Sequence, residues 1–263
     1  MHLRVIDIDL PSDLDKLIIV PFADWHKDDP RCNAGYIQHT VERIAASEDT
    51  YCIANGDLVN MALKSSVSDV YCNRISPQEQ LDWIINTLWP IRHKILCYSD
   101  GNHENRVWRE VGISPAKYVT NALGIADRCS DGGALVFVSF GLQAREKSRG
   151  RKMTYSIYAR HGSGGGKKEG GKVNAMVDFA DNVDADLYVM SHVHMPFQTA
   201  LQYYRVNISN RSVRPVNKLF VSTSAALDFG GYGETNGFRP SAIADMSIIL
   251  DGNRRRMAAR MDV

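Results

Sequence analysis

Leu17-Ile18-Ile19-Val20-Pro21-Phe22-Ala23-Asp24-Trp25-His26 is the stretch on which the reading of this chain turns. An apolar run of strand length passes directly into Asp24 and His26, two side chains that bind metals. The same arrangement recurs along the chain. Tyr51–Ala54 ends at Asn55-Gly56-Asp57, and Ile95–Tyr98 is followed by Gly101-Asn102-His103-Glu104. Tyr155–Arg160 leads into His161-Gly162, and Leu187–Met190 into Ser191-His192-Val193-His194. Each of these apolar strands delivers a metal-capable side chain at its C-terminal end, the edge at which layered α/β sheets form ligand sites.

Further strand-length segments lie at Ala134–Phe140, Leu219–Ser222 and Ala242–Leu250, and helical periodicity appears between the strands. Ile37, Val41 and Ile44 share one face, as do Leu81, Ile84, Ile85 and Leu88, and later Val173, Met176, Val177 and Ala180. Ser76, Pro77 and Glu79 predict the start of the second helix through an N-cap, a first-turn proline and a capping box. The first half alternates strand with helix and the second is richer in strand, which predicts sheets covered by helices in an α/β or α+β layered domain. No linker or repeat divides the chain, so one domain over residues 1–263 is expected. Met61–Ile75, Ser163–Gly171 and Asp228–Pro240 read as surface loops.

Composition narrows the function classes. The 263 residues are 44% hydrophobic and 23% charged, an ordinary composition for a well-buried core. A net charge of +1 exerts no global pull on nucleic acid or membrane, so any anion-binding surface must be local. No apolar run is long enough to span a bilayer, and Asp7 and Asp9 interrupt the N-terminal segment where a secretory signal would be apolar. A cytoplasmic protein without a membrane partner is the expectation. The five cysteines are scattered and form no C-x-x-C pair, which argues against a thiolate metal site or a disulfide framework.

Asp with neutral His suits Mn, Fe, Zn or Ni better than Ca or Mg. Asp24-x-His26 places two side chains on one side of an extended backbone, and His192-x-His194 does likewise. A carboxylate such as Asp57 can bridge two ions about 3.5–4 Å apart, as two-metal hydrolases require. Gly56 and Gly101 permit close backbone approach. Each motif has an ordinary structural reading when taken alone: a capped turn at Asp24, an N-cap at Asp57, a strand-end histidine at His161. Five in order are a different matter.

The series D-x-H, G-D, G-N-H-E, H and H-x-H resembles the motif series of the calcineurin-like metallophosphoesterases over Asp24 to His194. The resemblance implies a four-layer sandwich of two mixed β-sheets flanked by helices. It implies one ion held by Asp24, His26, Asp57 and His194, and a second by Asp57, Asn102, His161 and His192. The expected cofactor is thus a pair of divalent ions, with Mn favoured among Mn, Fe, Zn and Ni. His103 would face the substrate as general acid, and Arg106 could grip a phosphate oxygen. Many relatives carry Asp where this chain has Asn60, and there it supports the catalytic histidine. An amide can orient an imidazole but adds no charge. Ser191 stands where relatives usually have Gly.

Reaction type is better specified than substrate. Lys167, Lys168 and Lys172 follow His161 in a glycine-rich loop and read either as substrate contacts or as a solvated surface. Arg145–Lys152 is a further basic run, Arg254–Arg256 reads as a solvated end, and Tyr232 and Phe238 could stack on a base or pin their loop. This local charge favours a phosphodiesterase acting on a nucleotide or nucleic acid. The alternatives are a phosphomonoesterase or protein phosphatase on the same dimetal site, and a degenerate domain that binds metal or a partner without turnover. Oligomeric state has no signature in the sequence.

Overall fold

Strands buried on both faces organise the molecule, a computed structural model that describes residues 3–63, 66, 70–72, 74–144, 150–164 and 166–263. One six-stranded sheet runs, edge to edge, through β1 (Arg4–Asp9), β6 (Ala134–Phe140), β7 (Met153–Arg160), β8 (Leu187–Met190), β10 (Ser212–Ser222) and β9 (Phe197–Asn207). The other runs through β12 (Met257–Asp262), β11 (Asp245–Asp251), β2 (Lys16–Phe22), β3 (Thr50–Asn55), β4 (Ile95–Ser99) and β5 (Cys129–Ser130). Both are mixed. β2, β3 and β4 are mutually parallel, as are β7, β8 and β10.

Side-chain alternation assigns each strand's two faces to different cores. Leu17 and Ile19 of β2, Ile53 of β3, Ile157 of β7, Val189 of β8 and Val221 of β10 meet between the sheets. Val20, Phe22, Cys52 and Ala54 point the other way, onto α1 (Ala34–Ala45), α2 (Pro77–Leu88) and α4 (Pro115–Ala122). Tyr188, Met190 and Phe220 face outward from the first sheet, toward Met176 of α5 (Glu169–Val177) and Phe179 of α6 (Phe179–Asn182). Helix layer, sheet, sheet, helix layer is the four-layer order expected from the motif resemblance.

The start of α2 is as read: Ser76 accepts from Glu79 N–H, and the Glu79 carboxylate accepts from Ser76 N–H. Other expectations need correction. β1 alternates Ile6 and Ile8 inward with charged residues outward, a two-residue period on a segment considered only as a candidate leader. β10 begins at Ser212 rather than Leu219, because pairing with β9 carries it well past its apolar core. The segment 163–171 is not all loop: α5 starts at Glu169 despite Gly170 and Gly171. Arg255 is not simply a solvated end, since its guanidinium bonds Asp186 and lies over the Tyr155 ring. Of the run Arg145–Lys152, Arg145, Lys147 and Arg149 fall outside the described residues, while Lys152 binds Asp9 and the Leu10 carbonyl.

Ile53 lies fully buried between the sheets, beneath the loop that carries Asp57. Ile53→Ala is expected to cost about 2–5 kcal/mol through lost transfer energy and an unfilled cavity. Equilibrium urea unfolding, read as a change in midpoint at constant slope, measures it.

Candidate metal and phosphoester site

Because β2, β3 and β4 run parallel, their C-terminal loops leave one edge of the second sheet together, and the ends of β7 and β8 arrive there from the first sheet. The loops after β2 and β3 continue to pair beyond the strands: Asp24 N–H donates to Gly56 O, His26 N–H to Asp57 O, and Lys27 N–H to Leu58 O. Asn55, fully buried, joins the two sheets at this edge. Its Nδ2 donates to the Arg160 carbonyl at 3.0 Å and to Ser191 Oγ at 2.7 Å, and its Oδ1 accepts from Ser99 Oγ at 3.2 Å. Ser191, the departure from Gly noted in the sequence, thus serves as an anchor for Asn55.

Two groups of side chains converge there. Ligand atoms of Asp24, His26 and His194 lie within 4.8 Å of one another, and so do those of Asp57, His161 and His192. A third grouping, His26, Asp57 and His103, links them. His26 Nε2 is 3.3 Å from His194 Nε2, and His194 Nε2 is 3.2 Å from Asp24 Oδ1. On the other side His161 Nε2 lies 3.1 Å from Asp57 Oδ2 and 3.2 Å from Asn102 Oδ1. All seven candidate ligands are therefore brought together, with Asp57 reaching toward both groups.

Five of the seven hold backbone angles that L-residues avoid: φ is 53° at Asp24, 44° at His26, 53° at Asp57, 70° at His192 and 52° at His194. Strain of this kind persists only where the surroundings over-determine it, and it concentrates at functional sites. The surroundings are visible here. Asp24 Oδ2 accepts from His192 N–H at 3.0 Å, and Asp57 Oδ1 from His103 N–H at 2.8 Å. A Cβ on Gly101 would stand 2.1 Å from Asp57 Oδ1, so only glycine fits behind the Asp57 carboxylate.

The sequence reading gave Glu104 no role, yet it holds this edge together. Its buried carboxylate accepts from Asp57, Leu58 and Gly101 N–H, each at 2.9 Å. It therefore fastens the Asp57 turn to the first turn of α3 (Asn102–Val111), whose start also carries Asn102 and His103. The G-N-H-E spacing was the available signal, since a Glu at the third helical position is where a capping carboxylate belongs. Burial and the nearby charges of Asp57 and Asp100 push Glu104 up to about 8, against the amides that favour its ionised form.

Ring protonation follows from the partners. A carbonyl oxygen can only accept, so His161 carries a proton on Nδ1, which donates to Asn55 O at 2.7 Å and leaves Nε2 for the cluster. His103 Nδ1 likewise donates at 2.6 Å to the main-chain oxygen of Asn60. The contact between residue 60 and the catalytic candidate is thus made by the backbone, with no carboxylate in that place. Burial lowers His103 below its usual range, with Arg106 adding to the effect and Asp57 opposing it. Burial also pulls on His161, but Asp57 and Asp24 outweigh it and raise the ring to about 10.

Does this set of residues fit a cation? Asp24 Oδ1 is fully buried, and the groups nearest it are imidazole nitrogens of the same donor cluster, His194 Nε2 at 3.2 Å first among them. Such an oxygen is costly unless a positive charge sits against it. Mixed carboxylate, amide and imidazole donors, with the imidazole of His161 oriented from behind, match what divalent transition metals take.

The cluster opens into a cleft of about 770 Å³ that His26, Asp57, Asn102, His103, His192 and His194 help to line. Arg106 and Lys172 line it too. Lys168 is exposed at the N-cap of α5, and Lys167 is exposed with its Nζ 6.0 Å from the Phe238 ring centroid. Neither of those two lines the cleft, whereas Arg31, Phe229, Phe238 and Arg239 do, and of these four the sequence singled out Phe238 alone.

No family model matches the chain, and no curated protein matches it. Solved structures do. One is a conserved uncharacterized protein from Streptococcus pneumoniae TIGR4, described as a predicted phosphoesterase: 11% identity, 93% of this chain and 88% of that chain covered, TM-score 0.38. Another is a double mutant of Vps29 from Entamoeba histolytica, with 10% identity, 93% and 91% coverage and a TM-score of 0.46. Wild-type Vps29 of the same organism, complexed with Zn²⁺, gives 9% identity, 93% and 98% coverage and a TM-score of 0.42. Identity this low leaves the chemistry to be argued from this chain's own atoms. No helix among the described residues is long and apolar enough to cross a membrane.

Two outcomes test the site. With Glu104→Gln, an amide replaces one acceptor oxygen and faces backbone N–H groups with a donor; a stability loss of about 1–3 kcal/mol by urea unfolding is expected, with weaker Mn²⁺ binding by calorimetry. The pH dependence follows from His161, raised from 6.5 to about 10. A raised folded-state value gives stability that is complete below about pH 6.5 and is lost as pH climbs toward 10. Chelator-treated protein should therefore melt at lower temperature at pH 9 than at pH 7, and His161→Asn should reduce that difference.

Proposed function

We propose that the chain is a dinuclear metal-dependent phosphoesterase that hydrolyses phosphodiesters of a nucleotide or nucleic acid. The observation that carries the reading is the convergence of two donor groups, Asp24–His26–His194 and Asp57–His161–His192, with Asp57 between them at the floor of an open cleft. One ion would be held by Asp24, His26, Asp57 and His194, the other by Asp57, Asn102, His161 and His192. A bound pair of divalent cations supplies an acidified water and neutralises charge on the phosphoryl oxygens.

The chain's own groups do the rest. Asp57 and Asn102 orient the donor set from the turn and helix that Glu104 ties together. His103 presents Nε2 to the cluster, 3.9 Å from Asp57 Oδ2, because Nδ1 is engaged with the Asn60 carbonyl. In its protonated form that Nε2–H is the donor that protonates the departing oxygen. Arg106 lines the same cleft, half-buried one turn further along α3, where its fork can take a non-bridging phosphate oxygen. Lys172 adds positive charge to the cleft. These cations beside the cluster support an anionic diester over a neutral substrate.

The test uses purified protein loaded with Mn²⁺ and compares bis-p-nitrophenyl phosphate with p-nitrophenyl phosphate. Faster diester hydrolysis is expected, and preference for the monoester would point to a phosphatase. No turnover with Mn²⁺, Zn²⁺, Fe²⁺ or Ni²⁺ would point to a binding domain without catalysis. His103→Ala should keep its metal content by elemental analysis while losing turnover by roughly 10²–10⁴-fold, the usual worth of a general acid. Asn60→Ala retains the main-chain carbonyl and should stay far more active than His103→Ala.

A further inference from the structure

Part of the cleft's lining comes from chain that the metal chemistry does not use. Residues 228–239, with α7 (Tyr232–Thr235) among them, bring Phe229, Phe238 and Arg239 to the cavity that holds the donor cluster. Phe229 is 47% exposed there, a large apolar ring facing the cleft rather than the core. Arg31, five positions beyond His26, lines the same cavity.

Arg31 is seated, not loose. A Cβ on Gly231 would lie 2.2 Å from its Cζ and Nη1, and one on Gly230 would lie 2.8 Å from its Nε. The guanidinium therefore rests directly on the glycine pair, whose φ values of 143° and 54° also suit glycine. Main-chain pairing fixes the two segments together. Asp228 N–H donates to Arg31 O at 3.0 Å, Asn33 N–H to Ala226 O at 2.8 Å, and Asn33 Nδ2 to Asp228 Oδ1 at 3.0 Å. Asp29 accepts from Arg31 N–H at 2.9 Å, with its carboxylate 3.8 Å from the guanidinium. A seated planar cation and two aromatic rings thus line the same cavity as the metal-capable cluster.

We infer that Arg31, Phe229 and Phe238 form a subsite for the nucleoside side of a nucleotide-type phosphodiester, the rings stacking on the base and the guanidinium taking an anionic oxygen. The inference rests on the phosphoesterase reading of the adjoining cluster. Aromatic faces bind any base, and a preorganised guanidinium matches a phosphate bidentately. A small alkyl ester offers the rings nothing.

Two substrates with the same leaving group separate these contributions: thymidine 5′-(p-nitrophenyl phosphate) and methyl p-nitrophenyl phosphate, assayed with Mn²⁺-loaded protein. The ratio of their kcat/KM values is expected to favour the thymidine ester by roughly tenfold, the scale of one base–aromatic stack. Phe229→Ala and Phe238→Ala should each lower that ratio. Arg31→Ala should raise KM for both esters, and Gly231→Ala should reproduce it by displacing the guanidinium; if Gly231→Ala does not fold, Arg31→Ala decides. A wild-type ratio near one, or a ratio unchanged in both phenylalanine variants, overturns the subsite. If neither ester is hydrolysed, the phosphoesterase reading fails, and calorimetric titration with AMP tests the subsite alone. Weaker AMP binding by Phe229→Ala than by wild type sustains it, and equal binding overturns it.

Discussion

The Glu104 carboxylate is the constraint on which the metal-capable edge depends. Three backbone amides from two loops end on it, and all three groups are buried away from competing water. A buried amide left without an acceptor is expensive, and the Glu104 carboxyl group supplies one to each of these donors. The Asp57 turn is therefore fixed relative to α3, and with it the spacing between Asp57, Asn102 and His103. Gly101 permits this closeness, since any side chain there would meet the Asp57 carboxylate.

The rest of the cluster is held at the cost of backbone strain. Left-handed φ at Asp24, His26, Asp57, His192 and His194 places side chains from loops of both sheets into one small volume. What opposes relaxation is the pairing of the loops after β2 and β3, together with the Asn55 amide, which spans the ends of β3, β4, β7 and β8. Crowded imidazoles and carboxylates also oppose one another electrostatically. His26 is driven well below its usual range by burial and by His103, while His161 rises through Asp57 and Asp24. Neighbouring groups whose proton affinities are pushed apart are a physical mark of a functional site.

The candidate ligands were legible in the sequence because each follows an apolar run buried on both faces, and such runs stand out without reference to the rest of the chain. The four-layer order was reached through the motif resemblance. Features that depend on distant pairing were not legible. β9 alternates half-buried with exposed residues, the outer part of β10 is exposed almost throughout, and the two owe their existence to each other. β12 pairs only with β11 at the sheet edge, and its sequence, Met257–Asp262, has no apolar run. At residue 60 the side chain drew attention in the sequence, whereas the contact to His103 comes from the main-chain oxygen, which no residue type announces. Arg31 likewise has no local signature; its meaning comes from its seat on Gly230 and Gly231, far away in the sequence and brought against it only by the fold.

That separation has a physical logic. The donor cluster lies on loops tied to strand ends and to α3, so its geometry is inherited from the sheets. Another part of the lining comes from the segment that contains α7, fastened at Ala226 and Asp228 to the Arg31–Asn33 turn, with Arg239 pairing with Glu169 of α5. Ala226 N–H also donates to Asp24 O at 3.0 Å, so the root of this segment is tied to the strained edge, whereas Phe229, Phe238 and Arg239 line the cleft farther along the chain, where substitutions can change which groups meet a ligand. A site built this way can keep one chemistry while its recognition surface varies, since loops tolerate change that packed strand ends do not.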